Sequence, residues 1–162
     1  MKKILILIVL VLGNLFADLI NDGLEAYGNG EDTKAIQLWS ESCENGNMEG
    51  CNHLAALYNE EYGKYKDRKK ALTLYEKSCN GKSMEGCYNL GLFYNEGKGT
   101  KQDKQKAIKY FEKSCNNKHA KGCHNLGLAY SYGDGVEQDK QKAMLLYKKA
   151  CRSGSIASCY KI

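Results

Sequence analysis

Eight cysteines stand at one fixed interval. Cys43, Cys79, Cys115 and Cys151 are each 36 residues apart, and so are Cys51, Cys87, Cys123 and Cys159, giving four identical C-x7-C pairs. A period in the mid-thirties means stacked supersecondary units, because each unit is too small to bury its own apolar face and must share it with its neighbours.

Aligning the chain at that interval assigns a task to each position. The column Ala35, Ala71, Ala107 and Ala143 does not vary, and four residues later stand Trp39, Tyr75, Phe111 and Tyr147. Residues at i and i+4 share one face of a helix, so a small residue admits a neighbour and a large one fills the groove beside it. A second stripe reads Cys51, Leu54, Ala55, Tyr58, then Cys87, Leu90, Gly91, Tyr94, then Cys123, Leu126, Gly127, Tyr130. Its i, i+3, i+4, i+7 spacing predicts another helix with a single apolar face. Gly97, Gly99, Gly133 and Gly135 supply the positive backbone angles of a helix stop. Asp67, Asp103 and Asp139 stand where a helix N-cap is wanted, and Asp32 or Thr33 is the expected cap of the preceding helix.

The expected fold is therefore all-α: an α-solenoid of helix-turn-helix repeats with helical pairs near 18–45, 51–80, 87–116 and 123–152 and a short C-terminal tail. Residues 1–17 read separately. Met1-Lys2-Lys3, the apolar run Ile4 to Leu12 and the small residues ending at Ala17 have the order of a secretory signal peptide, leaving 18–162 as the repeat domain. The apolar run is shorter than the roughly 20 residues of a membrane span, so no stable membrane insertion is expected after cleavage. Without Lys2 and Lys3 the net charge is 22 minus 19, or +3. Basic residues are not gathered into a stripe with interleaved aromatics, so nucleic acid is not an expected partner.

Export decides the sulfur chemistry, since thiols outside the cytosol oxidise and an even count reads as a disulfide framework. Pairing across each seven-residue connection uses all eight cysteines, whereas pairing within a unit, as Cys51 with Cys79, strands Cys43 and Cys159. The local scheme is expected. Zinc ligands are usually two to four residues apart rather than seven, and His53, His119 and His124 follow no repeating relation to the cysteines; the cluster His119, Cys123, His124 reads as repeat drift. No metal or cofactor is expected.

The pattern Leu90-Gly91-x-x-Tyr94, Gly97-x-Gly99, Gln102-Asp103, Ala107 and Phe111 resembles the Sel1-like repeat, a relative of the tetratricopeptide repeat. With the signal segment and the C-x7-C pairs, the chain is similar to the Helicobacter cysteine-rich protein family. That resemblance implies a secreted or periplasmic solenoid and a penicillin-binding or weak β-lactamase activity. The residues for such chemistry are sparse. Ser158-Cys159-Tyr160-Lys161 places a hydroxyl one helical turn from a lysine, but Ser-Asp-Asn and Lys-Thr-Gly partners are absent, and no catalytic residue is assigned. A binding module is the preferred reading, with a β-lactamase acting on penicillin- or cephalosporin-type substrates as the alternative. The expected binding residues are His53, Asn89 and Asn125 in one column and Asn59, Asn95 and Ser131 in another. They would line a concave groove that takes a peptide, a muropeptide, a β-lactam or another protein, through the paired donors and acceptors of amides.

Overall fold

A computed structural model describes residues 18–61 and 63–162. The expected signal segment, 1–17, lies outside the described residues. Helices α1 (18–28), α2 (Asp32–Glu44), α3 (Met48–Asn59), α4 (Arg68–Asn80), α5 (Met84–Glu96), α6 (Lys104–Asn116), α7 (Ala120–Tyr132), α8 (Lys140–Arg152) and α9 (Ile156–Cys159) follow one another, with no strand among the described residues. From α2 to α9 each helix packs mainly on the helices just before and after it. The result is a serial stack in which the core is a continuous ribbon.

The alanine and aromatic columns make that ribbon. Ala35, Ala71, Ala107 and Ala143 are buried, as are Trp39, Tyr75, Phe111 and Tyr147. Two of the aromatics land on the glycines of the other stripe. A Cβ at Gly91 would stand 2.6 Å from the Phe111 ring, and one at Gly127 would stand 2.7 Å from Tyr147. Glycine in mid-helix costs about 1 kcal/mol relative to Ala. Here it is retained because the ring occupies the space of the missing methyl.

Aspartate caps are found at three of the helix starts. Asp67, Asp103 and Asp139 each accept a hydrogen bond from the backbone N–H three residues on, at 3.0, 2.9 and 2.8 Å. The same aspartates donate their own backbone N–H to Tyr58, Tyr94 and Tyr130 carbonyls, each at 2.8 Å, which closes the intra-unit loop. The divergent loop after α3 therefore keeps the closing bond that the glycine-paired loops use. At α2 the expectation is corrected: Asp32 is the first helical residue, Glu31 is the cap position, and no side chain caps it. Glu31 instead pairs with Lys34 at 3.3 Å.

All four local disulfides are formed: Cys43–Cys51, Cys79–Cys87, Cys115–Cys123 and Cys151–Cys159. Each joins the end of one unit to the start of the next, with Cα atoms 4.4 to 4.9 Å apart. This tight turn brings two helix backbones together. At the junction Ser78 Oγ donates to the Met48 carbonyl and Ser114 Oγ to that of Met84, at 3.2 and 3.0 Å. Lys77 Nζ and Lys113 Nζ reach back to the carbonyls of Cys43 and Cys79, at 3.1 and 3.0 Å. Units are thus tied to their neighbours by sulfur, by hydroxyls and by lysines at repeating offsets.

Candidate functional site

The odd-numbered helices carry the expected binding residues, and all six of those side chains are half-buried. The stack sorts them into two clefts. His53 of α3 and Asn89 of α5 line a cleft of about 640 Å³, together with Asn52, Ser83 and Glu85. Asn95, at the end of α5, and Asn125, in the middle of α7, share a second cleft of about 520 Å³. Two residues from different columns therefore meet because successive units are offset, whereas neither Asn59 nor Ser131 lines either cleft. Asn59 is the last residue of α3, and its Oδ1 is buried without a partner.

In the first cleft the imidazole of His53 stacks on Trp39, with ring centroids 5.1 Å apart and planes 23° apart. Glu49 Oε1 lies 3.8 Å from its Nε2. Asn52 donates to Ser83 Oγ at 2.9 Å, and Ser83 in turn caps α5 by accepting from the Gly86 N–H at 3.2 Å. Its other amide atom, Asn52 Oδ1, is buried with no partner. Glu85, on the far wall, accepts from His119 Nε2 at 2.7 Å, and that contact holds its carboxyl below the usual carboxylate range. The cleft brings the Asn89 amide, the Glu85 carboxylate and the His53 ring to one opening.

The second cleft differs in character. Ile108, Phe111 and Ala129 form its apolar floor, while Asn95 and Asn125 supply amides. Tyr132, largely exposed, stands at the rim beside Asp134, which is paired with Lys104. Gln102 Nε2 donates to the Asn95 carbonyl and Gln138 Nε2 to that of Ser131, both at 2.8 Å. These bonds explain the recurrent Gln-Asp pair: the glutamine satisfies a carbonyl at the C-terminal end of the preceding helix, and the aspartate caps the helix that follows. Nearby, Tyr94 donates to Glu76 Oε1 at 3.1 Å; burial first, and that carboxylate second, push its phenol up to about 12.

Sequence reasoning missed Asn52, the Phe111 floor and Tyr132. Phe111 serves both as core and as cleft floor. Tyr132 had a signal, since its column reads Glu60, Glu96, Tyr132 and breaks from acid to aromatic.

The sequence cluster of His119, Cys123 and His124 is dispersed. His119 caps α7, accepting from the Gly122 N–H at 3.2 Å, Cys123 is consumed in a disulfide, and His124 Nδ1 meets Ser158 Oγ at 2.7 Å. Ser158 with a histidine is a fragment of a nucleophilic site. Its hydroxyl, however, is fully buried, and Lys161 Nζ lies over the Tyr147 ring at 5.7 Å. A substrate has no approach to that oxygen. Among the described residues no group of three or more His, Cys, Asp or Glu is placed to hold a metal ion, and no helix is long and apolar enough to cross a membrane.

The Sel1 repeat family model matches residues 19–47, 49–83, 85–119 and 120–155. In structure the chain is similar to cysteine-rich protein B of Helicobacter pylori at 34% identity, over 80% of this chain and 93% of that one, with a TM-score of 0.66. It is similar to a Sel1 repeat protein of Oxalobacter formigenes at 27% identity and TM-score 0.78, over 86% of this chain and 57% of that one. A protective antigen of uropathogenic Escherichia coli is similar at 28% identity and TM-score 0.80, over 90% of this chain and 32% of that one. The chain thus spans about half or less of the length of these last two. No curated protein sequence matches it.

Proposed function

Because the chain belongs to the Sel1 repeat family, we propose that it is a disulfide-rich protein-binding module whose two clefts hold an extended peptide segment. The observation that carries this reading is the second cleft, where Asn95 and Asn125 flank the floor made by Ile108 and Phe111. Side-chain amides pair with a peptide backbone as donor and acceptor at once, while an apolar floor takes a side chain of the same segment. Helix α5 contributes to both clefts, Asn89 to the first and Asn95 to the second, and a segment lying along α5 would meet both.

Four disulfides support work in an oxidising, extracytoplasmic compartment. A stapled stack also presents the clefts with little ordering cost, which raises affinity for a flexible ligand. The finer ligand expectations, a muropeptide or a β-lactam, belong to the same clefts and rest on family resemblance. Hydrolysis has less behind it, since the serine of the Ser-x-x-Lys pattern is buried.

The test is selection of a random peptide library on the disulfide-bonded protein, followed by calorimetry of the enriched peptides. Replacing Asn125 or Asn95 by Ala is expected to weaken binding by about tenfold each, the worth of one or two amide hydrogen bonds. Muropeptide and benzylpenicillin serve as competitors and discriminate the finer ligand classes. Failure of any peptide to enrich, or affinities indifferent to both asparagines, removes the reading.

A further inference from the structure

The charge of this chain is polarised along the stack. Residues 18–61 hold ten acidic side chains against Lys34 alone, a net of −9, whereas residues 140–162 hold six basic side chains and no acid. The repeat columns show the gradient position by position. Glu41, Lys77, Lys113 and Lys149 share one column, and Glu44, Asn80, Asn116 and Arg152 share another. A third column is exposed and polar at Gln37, Thr73 and Lys109 and then becomes Leu145, whose exposure is 66%.

Those substitutions converge at one place. Leu145, Lys148, Lys149 and Arg152 lie on one side of α8 and, with Lys118 from the turn before α7, line a cleft of about 520 Å³. Among the described residues none of the four cations makes an ion pair. An exposed leucine ringed by unpaired cations fits a partner with an apolar anchor between carboxylates. The chain carries such a surface at its other end. Asp18, Asp22 and Glu25, at i, i+4 and i+7 of α1, form one exposed acidic stripe, and Leu24 beside them is 43% exposed.

We propose that this chain associates head to tail with a second copy of itself, the basic face of α8 on one protomer receiving the acidic face of α1 on the next. Lys148 and Arg152 are one helical turn apart, as are Asp18 and Asp22, so two crossing helices can align both pairs. A single molecule cannot satisfy the match: α1 packs on α2 through Ile20 and Tyr27 against Trp39, and six helices, α2 to α7, stand between it and α8 in a stack where each helix packs mainly on its neighbours in sequence. The contact is heterologous, since two different surfaces meet, and it extends into a ring or an open row rather than a closed twofold pair. Opposite charges at the two ends steer the encounter and make it sensitive to salt. This interface is separate from the peptide clefts, so peptide binding and association succeed or fail independently.

The experiment is sedimentation velocity of the disulfide-bonded protein across a concentration series at low and at high ionic strength, with two charge-reversed variants. Wild type is expected to show a mass rising with concentration at low salt and a monomer at high salt. K148E/R152E and D22K/E25K are each expected to remain monomeric alone, with unchanged melting temperatures. Mixed one to one they are expected to associate, because each then offers an end complementary to the other; L145Q is expected to weaken the wild-type association at least fivefold. A wild type that stays monomeric at every concentration and salt overturns the proposal. So does association that survives either double reversal, or a mixture that does not associate. A monomer that instead binds a poly-glutamate peptide through α8 would assign the face to a foreign acidic partner and equally overturn it.

Discussion

The hydroxyl of Ser158 stands 2.7 Å from Nδ1 of His124, two residues separated by 34 positions and brought together by the packing of α9 against the preceding units. The pair is made possible by an exchange elsewhere. In the inner units a buried serine, Ser42, Ser78 or Ser114, faces a glycine, Gly50, Gly86 or Gly122, and a Cβ at Gly50 would stand 2.7 Å from Ser42. In the last unit the two positions are Ala150 and Ser158, so the hydroxyl has changed sides and turned toward the imidazole.

Protonation of His124 should loosen the tail. Burial, then the nearby Lys161 charge, hold its pKa below the ordinary histidine value near 6.5. A neutral Nδ1 accepts the Ser158 proton, whereas a protonated ring cannot. Since the unfolded chain binds the proton more readily, this contribution is complete above about pH 6.5 and is lost as pH falls through that value toward the lower folded pKa. Thermal melts between pH 5 and pH 8 should show a decline on the acid side that is reduced in H124Q. Identical profiles for the two proteins would refute the linkage.

Importing the exchange into an inner unit is a stricter test. G86S alone should destabilise by about 1–3 kcal/mol, because the new side chain collides with Ser78 and with the backbone N of Cys79. The double variant S78A/G86S should recover part of that loss, because the closest clash, with Ser78 Oγ, is removed while the Cβ at 78 and the Cys79 backbone N remain. Its new hydroxyl would stand toward Asn52, whose Oδ1 is buried without a partner. Urea unfolding of both variants measures the difference, and equal midpoints would show that the exchange is not compensatory.

Removing one disulfide should cost roughly 2–3 kcal/mol, the loop-entropy value for a closed loop of about nine residues. C79S/C87S is the informative choice, since this bridge lies in the middle of the stack and its loss leaves both ends tied. Denaturant unfolding is expected to lose cooperativity as the two halves separate in stability. A single transition with an unchanged midpoint would mean that helix packing alone holds the junction.

Lys82 and Lys118 adopt left-handed backbone, with φ of 69° and 63°, at the turn position that Gly46 and Gly154 occupy in the other units. A side chain there costs about 1 kcal/mol. K82G should therefore raise stability by somewhat less than that, because glycine also frees the unfolded chain. A melting temperature lowered by the substitution would show that the Lys82 side chain contributes more than its backbone costs.

Much of this protein was legible in one dimension. The period, the helix pairs, the aspartate caps and the local disulfides all rest on spacings of three, four, eight or 36 residues, and such spacings are fixed by helix geometry and by repetition. The hydrophobic columns named the core because each residue's face follows from its phase along its own helix. What the sequence could not disclose depends on how far one unit turns and slides on the next. That offset brings Asn95 to Asn125 rather than to Ser131, lays Phe111 on Gly91, and joins His124 to Ser158 while drawing it away from His119. A change of a few ångströms in the stacking would keep every helix and alter each of those contacts, so only the tertiary structure could decide them.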